Sequence, residues 1–125
     1  MARTLTIRIK PTEQVLRDFG TTFKAIVAKR SVRSKEGVYF TSIEAARNLL
    51  TPNRLALVRA IRKERPRSIY ALAKAVGRDM KNVQDDLRIL EEYGLVRLAA
   101  SRGRGKRRTR TPEALFDEIM LKIAI

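Results

Sequence analysis

Between Asp79 and Tyr93 the sequence reads DMKNVQDDLRILEEY, with Met80, Val83, Leu87 and Leu90 at helical spacing and Lys81, Asn82, Gln84, Asp85 and Arg88 pointing the other way. That second set has the hydrogen-bonding groups that read base edges. The carboxamides of Asn82 and Gln84 suit adenine N6 and N7, Lys81 and Arg88 suit guanine O6 and N7, and Asp85 can accept from cytosine N4. Asp86 beside it is expected to pair within the chain. Downstream, SRGRGKRRTR (101–110) holds Arg102, Arg104, Lys106, Arg107, Arg108 and Arg110 and no acid. Such a run can follow phosphates or enter a minor groove, with Gly103 and Gly105 allowing close approach. Ser68, Tyr70 and Arg78, around the preceding helix, are further candidates for phosphate contact. Each feature also has a plain reading. An exposed polar helix face is most often a solvated one, and a basic run alone can be a disordered tail for RNA or membrane surfaces.

Composition narrows the chemistry. The 125 residues include neither cysteine nor histidine, which removes disulfides, thiolate nucleophiles, imidazole bases and nearly every zinc site. Twenty-eight Lys and Arg against 13 Asp and Glu give a net charge of +15, more than solubility asks, so a polyanion is the expected partner. Gly103 to Lys106 resembles a phosphate loop only superficially, because Ala100 and Arg107 stand where glycine and a hydroxyl residue belong. Glu91 and Glu92 face different sides of their helix and make no working carboxylate pair. No enzymatic activity, metal or cofactor is expected. The apolar runs are short and no leader opens the chain, so a cytoplasmic, nucleoid-associated protein without membrane contact is expected.

The elements that would position these residues follow from local signals. Strict alternation over Thr4–Lys10 predicts a half-buried strand with Leu5, Ile7 and Ile9 on one face. Residues 12–30 repeat Val15, Leu16, Phe19, Phe23, Ile26 and Val27 at helical spacing. Ser31 to Gly37 reads as a connector and Val38–Phe40 as a short strand. Ser42 caps a helix to Leu50, Thr51-Pro52 opens another that ends at Arg65-Pro66, and Ser68 caps a third, closed by Gly77. Asp79 caps the polar-faced helix, Gly94 closes it, and a strand begins at Leu95. Thr111-Pro112-Glu113 is a good helix start, yet Ile119, Leu121, Ile123 and Ile125 alternate as in a strand, so a short turn after Pro112 and a last strand from about Glu118 are expected, with a helix over 112–125 as the alternative.

The three helices opened by Thr51-Pro52, Ser68 and Asp79, with the glycine turn at Gly77 between the last two, and a glycine-tipped basic hairpin predict an α+β, mainly helical fold: a winged helix-turn-helix with an N-terminal strand–helix extension and a C-terminal strand. The expected boundaries are a dimerisation or partner element at 1–36, the DNA-binding domain at 37–111 and the terminal strand at 112–125. Val15, Phe19 and Phe23, with Leu5, Ile7 and Ile9, are the candidate dimer or partner surface.

The blocks FTS at 40–42, LTPNRL at 50–55, SIYALA at 68–73, GRDMKNV at 77–83 and LEEYGLV at 90–96 resemble small prokaryotic winged-helix regulators, MarR-like in their DNA-binding module. The alternating start and the ending FDEI at 116–119 are similar too. The resemblance implies a transcription regulator, and some relatives look like antitoxins encoded beside a toxin. The wing here is unusually rich in arginine. The expected function is therefore sequence-specific binding of double-stranded DNA by a homodimeric repressor, with a cognate toxin as a further partner. The alternatives are a nonspecific chromatin or RNA binder and a basic module for an acidic protein.

Overall fold

The computed structural model describes residues 3–11, 13, 31–34, 37–102 and 108–125. In chain order the elements are β1 (Thr4–Ile9), β2 (Ser31–Ser34), β3 (Gly37–Phe40), α1 (Ile43–Leu49), α2 (Pro52–Glu64), α3 (Ile69–Val76), α4 (Met80–Glu92), β4 (Val96–Arg102), β5 (Arg108–Ala114) and β6 (Glu118–Ile123). The helix expected over 12–30, and with it Val15, Phe19 and Phe23, lies outside the described residues apart from Glu13, which is helical.

Two compact units emerge. One comprises Met1–Leu50 with Phe116–Ile125, the other Thr51–Leu115. The divisions thus fall at 50/51 and 115/116, where the sequence signals predict 36/37 and 111/112.

The first unit is a four-stranded sheet in the order β2-β3-β1-β6, with β1 parallel to both neighbours and β2 antiparallel to β3. Alternation decides the burial of β1: Leu5, Ile7 and Ile9 are buried while Thr4, Thr6 and Arg8 are half-exposed. This corrects the partner role expected for those three residues, because they fill the core of their own sheet. The segment 31–37 is also not a plain connector. Its first four residues form β2, paired from Ser31↔Phe40 to Ser34↔Gly37. An edge strand needs one backbone ladder and no alternating apolar pattern, so SVRS carried no legible signal. Ser42 caps α1 by accepting from the Ala45 amide at 3.2 Å, and α1 packs on β1 and β3.

In the second unit three helices precede a two-stranded ribbon. Thr51 Oγ1 accepts from the Arg54 amide at 3.2 Å with Pro52 at the first helical position, and Ser68 Oγ accepts from the Ala71 amide at 3.0 Å. Leu57, Ile61, Leu72, Val83, Leu87, Leu90, Leu95 and Val96 are buried together, and Ala73 is buried with them. Met80 does not join that stripe; at the first residue of α4 it is 40 % exposed. Ribbon β4–β5 runs from Val96↔Ala114 to Arg102↔Arg108. Its second strand corrects the turn expected after Pro112, since β5 continues through Pro112 to Ala114. The Leu115 amide bonds the Leu95 carbonyl at 3.2 Å, so odd-numbered amides of β5 face β4. Pro112, opposite Leu98, falls on an outward-facing position and costs the ladder no bond.

Candidate nucleic-acid interface

Two helices set the candidate face. Alpha-3 ends at Gly77, whose φ of 66° and ψ of 35° lie in the left-handed region, and the Arg78 amide returns to the Ala73 carbonyl at 3.1 Å. A Cβ at Gly77 would meet nothing within 4 Å, so the demand for glycine here is one of backbone conformation and not of space. Asp79 occupies the cap position of α4 as expected, but its carboxylate makes no capping hydrogen bond. Burying Val83, Leu87 and Leu90 leaves the opposite face of α4 to solvent. Lys81, Asn82, Gln84, Asp85 and Arg88 are all exposed there. The two carboxamides and two cations stand on successive turns of one rigid element.

Adjacent acids on α4 have different surroundings. Asp85 is exposed. Asp86 turns inward and accepts from Arg54 Nε at 3.1 Å through Oδ1 and from Arg78 Nη2 at 2.8 Å through Oδ2. The expected internal pairing of Asp86 is therefore present. It joins the first turn of α2, the α3–α4 turn and the second turn of α4. Side-chain exposures of 15–24 % across the three groups put this network in partly desolvated surroundings, where charge-assisted bonds hold orientation well. Arg78, expected on the DNA backbone, donates one of its guanidinium nitrogens to Asp86 here. Arg54 had no sequence signal, because its partner lies 32 residues away.

The ribbon is held to the segment between α2 and α3 and across its own strands. Thr111 Oγ1 donates to the Arg67 carbonyl at 2.8 Å, and Arg97 pairs with Glu113 directly across the two strands. Arg110 is exposed on β5. Arg102 and Arg108 form the last paired residues before the tip, while Arg104, Lys106 and Arg107 lie outside the described residues. Tyr70, in the first turn of α3, is 59 % exposed with Lys74 Nζ 5.7 Å from its ring centre. Ser68 is half-exposed, its oxygen serving the helix cap. Where α4 meets the ribbon there is a hollow of about 350 Å³ lined by Ile69, Gln84, Arg88, Glu91, Leu98 and Arg110. It brings two expected base-reading residues beside an arginine of the basic hairpin. Glu91, Ile69 and Leu98 carry no functional signal in the sequence; only the crossing of helix and ribbon brings them together.

Among the described residues no cluster of three or more acids could hold a metal ion, and no helix is long and apolar enough to cross a membrane. The molecule is thus an α+β protein in which a polar-faced helix and a basic two-stranded ribbon share one unit. The chain belongs to the family described as HVO_A0114, which matches residues 49–121, more than half of its length and the whole of the second unit. No curated protein and no solved structure matches it.

Proposed function

We propose that the protein is a sequence-specific double-stranded DNA-binding transcription regulator that represses by occupying a promoter, with Thr51–Leu115 acting as a winged helix-turn-helix. The observation that carries this reading is the division of α4: Val83, Leu87 and Leu90 are buried, while Lys81, Asn82, Gln84, Asp85 and Arg88 stand exposed on one face. In this reading α4 lies in a major groove and presents those side chains to base edges. Arg110, with the arginines of the hairpin, contacts the phosphates on either side of the groove. Tyr70 and Lys74, at the exposed side of α3, add backbone contacts. In this reading the Asp86 network, which ties α4 to the first turn of α2, orients α4 for base reading.

Binding-site selection on random duplex DNA tests this. The expected result is a recovered consensus of a few defined base pairs that the protein prefers over shuffled duplex by at least about a thousandfold, the usual lower bound for specific over nonspecific binding. Uniform binding to all duplexes, or tighter binding to single-stranded RNA, would assign the protein to the nonspecific nucleic-acid binders instead.

A further inference from the structure

Strand β6 closes the sheet of the first unit on one side, and among the described residues its own outer edge is unpaired. Register on β1 aligns Ile119, Leu121 and Ile123 with Leu5, Ile7 and Ile9. The core face of the sheet therefore continues onto β6, but there it is no longer covered. Leu121 and Ile123 are each 51 % exposed, against 0 % for Ile7 and 6 % for Ile9. Met120, on the other face, is 47 % exposed. An edge that is regular, apolar and six residues long is the kind of strand that natural sheets cover or pair.

The hydrogen bonds show which groups that edge offers. The Glu118 amide bonds the Arg3 carbonyl at 3.3 Å and the Ala124 amide bonds the Ile9 carbonyl at 3.0 Å, so even-numbered residues of β6 face β1. Ile119, Leu121 and Ile123 therefore direct their amides and carbonyls outward. Placing a two-fold axis at Met120 sets Ile119 opposite Leu121 of a second copy as a hydrogen-bonded pair, twice, using those outward groups. The same axis sets Glu118 opposite Lys122 at the closer, non-hydrogen-bonded position, again twice. An axis at Lys122 would oppose two ammonium groups, and an axis at Leu121 would leave both charges facing apolar neighbours. The strand is complementary to itself in one register.

We propose that a second copy of this chain occupies the β6 edge, joining two four-stranded sheets into one continuous sheet through antiparallel β6–β6 pairing centred on Met120. The contact is isologous and closes on itself, as a two-fold dimer requires. The pairing does not rest on the DNA reading, and it is measured without DNA, so either can fail alone.

Sedimentation equilibrium of the full chain across the micromolar range tests it, with the wild-type protein dimeric. Leu121→Pro removes an outward amide that the β1 ladder does not use, so it is expected to give a folded monomer by circular dichroism and sedimentation. Lys122→Glu opposes like charges at two places and should raise the dimer dissociation constant about tenfold. Glu118→Lys should do the same, although it also removes the acceptor of the Thr4 hydroxyl. Combining the two reversals restores opposite pairs and should return the constant to near the wild-type value, a rescue that a mere folding defect would not show. A monomeric wild-type chain, an unchanged dimer in Leu121→Pro, or a double reversal no tighter than the single ones would overturn the assignment.

Discussion

The two units solve the same folding problem with different sequence distances. In Thr51–Leu115 each element lies against ones close to it in the chain: α2 on α3, α3 on α4, α4 on β4, and β4 on β5 across a short tip. In the sheet unit, β1 pairs with a strand 114 residues further on, from Thr4↔Glu118 to Ile9↔Ile123. Closing so long a loop brings a larger entropic cost before any contact forms, so that sheet depends on its dense apolar face. Charge divides in parallel. The helical unit has seventeen Lys and Arg against seven acids, the sheet unit eleven against six, so the larger excess sits where the polar helix face and basic ribbon are. A unit built from local contacts can present a charged face without endangering its core; the sheet unit, with the smaller excess, carries the β6 edge.

Salt breaks the comparison most strongly. If the helical unit and its arginines neutralise about six to ten phosphates per dimer, duplex affinity should fall by roughly three to five decades between 50 and 200 mM salt. A flat titration would remove the polyanion reading, while the proposed β6–β6 pairing, which rests on backbone and apolar contacts with only two charge pairs, should respond far less to the same change.

Core truncation compares the units directly. Ile7→Ala, at a fully buried site in β1, should cost about 2–5 kcal/mol in denaturant unfolding, and Leu87→Ala in α4 a similar amount. Only the Leu87 variant should weaken DNA binding per folded molecule. Equal loss in both would show that the helical unit does not bind on its own.

Asp86→Ala leaves two partly buried guanidinium groups without their carboxylate and should destabilise by about 2 kcal/mol, whereas Asp85→Ala, on the exposed side, should fall within about 0.5 kcal/mol. Chemical denaturation of the pair measures the difference. Comparable losses would mean that the network does not orient α4.

Asn82→Ala and Gln84→Ala should each relax preference at particular base pairs by about 1–3 kcal/mol, while Arg110→Ala should weaken all duplexes alike. Competition binding against a panel of single-site operator variants separates the two patterns. Smallest of all, Gly77→Ala should cost about 1 kcal/mol of stability from its left-handed conformation alone, since the added methyl group meets nothing.

Features set by near neighbours in the chain are legible in the residues themselves. The caps at Ser42, Thr51 and Ser68, the glycine stops at Gly77 and Gly94, the alternation of β1 and the inward stripe Val83-Leu87-Leu90 each need only a few consecutive residues. The exposed set on α4 follows from that stripe, because a helix that buries one side must show the other. Residues that meet across the fold cannot be read in this way. Arg54 and Arg78 find Asp86, Thr111 finds Arg67 and Leu98 joins Gln84 and Arg88 only because helices and ribbon cross there. Tertiary structure alone decided that Leu5, Ile7 and Ile9 are buried in their own sheet, and that β6 stands at one of its edges with no further strand beyond it among the described residues. The alternating pattern of a strand states which side is apolar; which strand lies beside it, and which edge stays unpaired, depends on loops that close over a hundred residues.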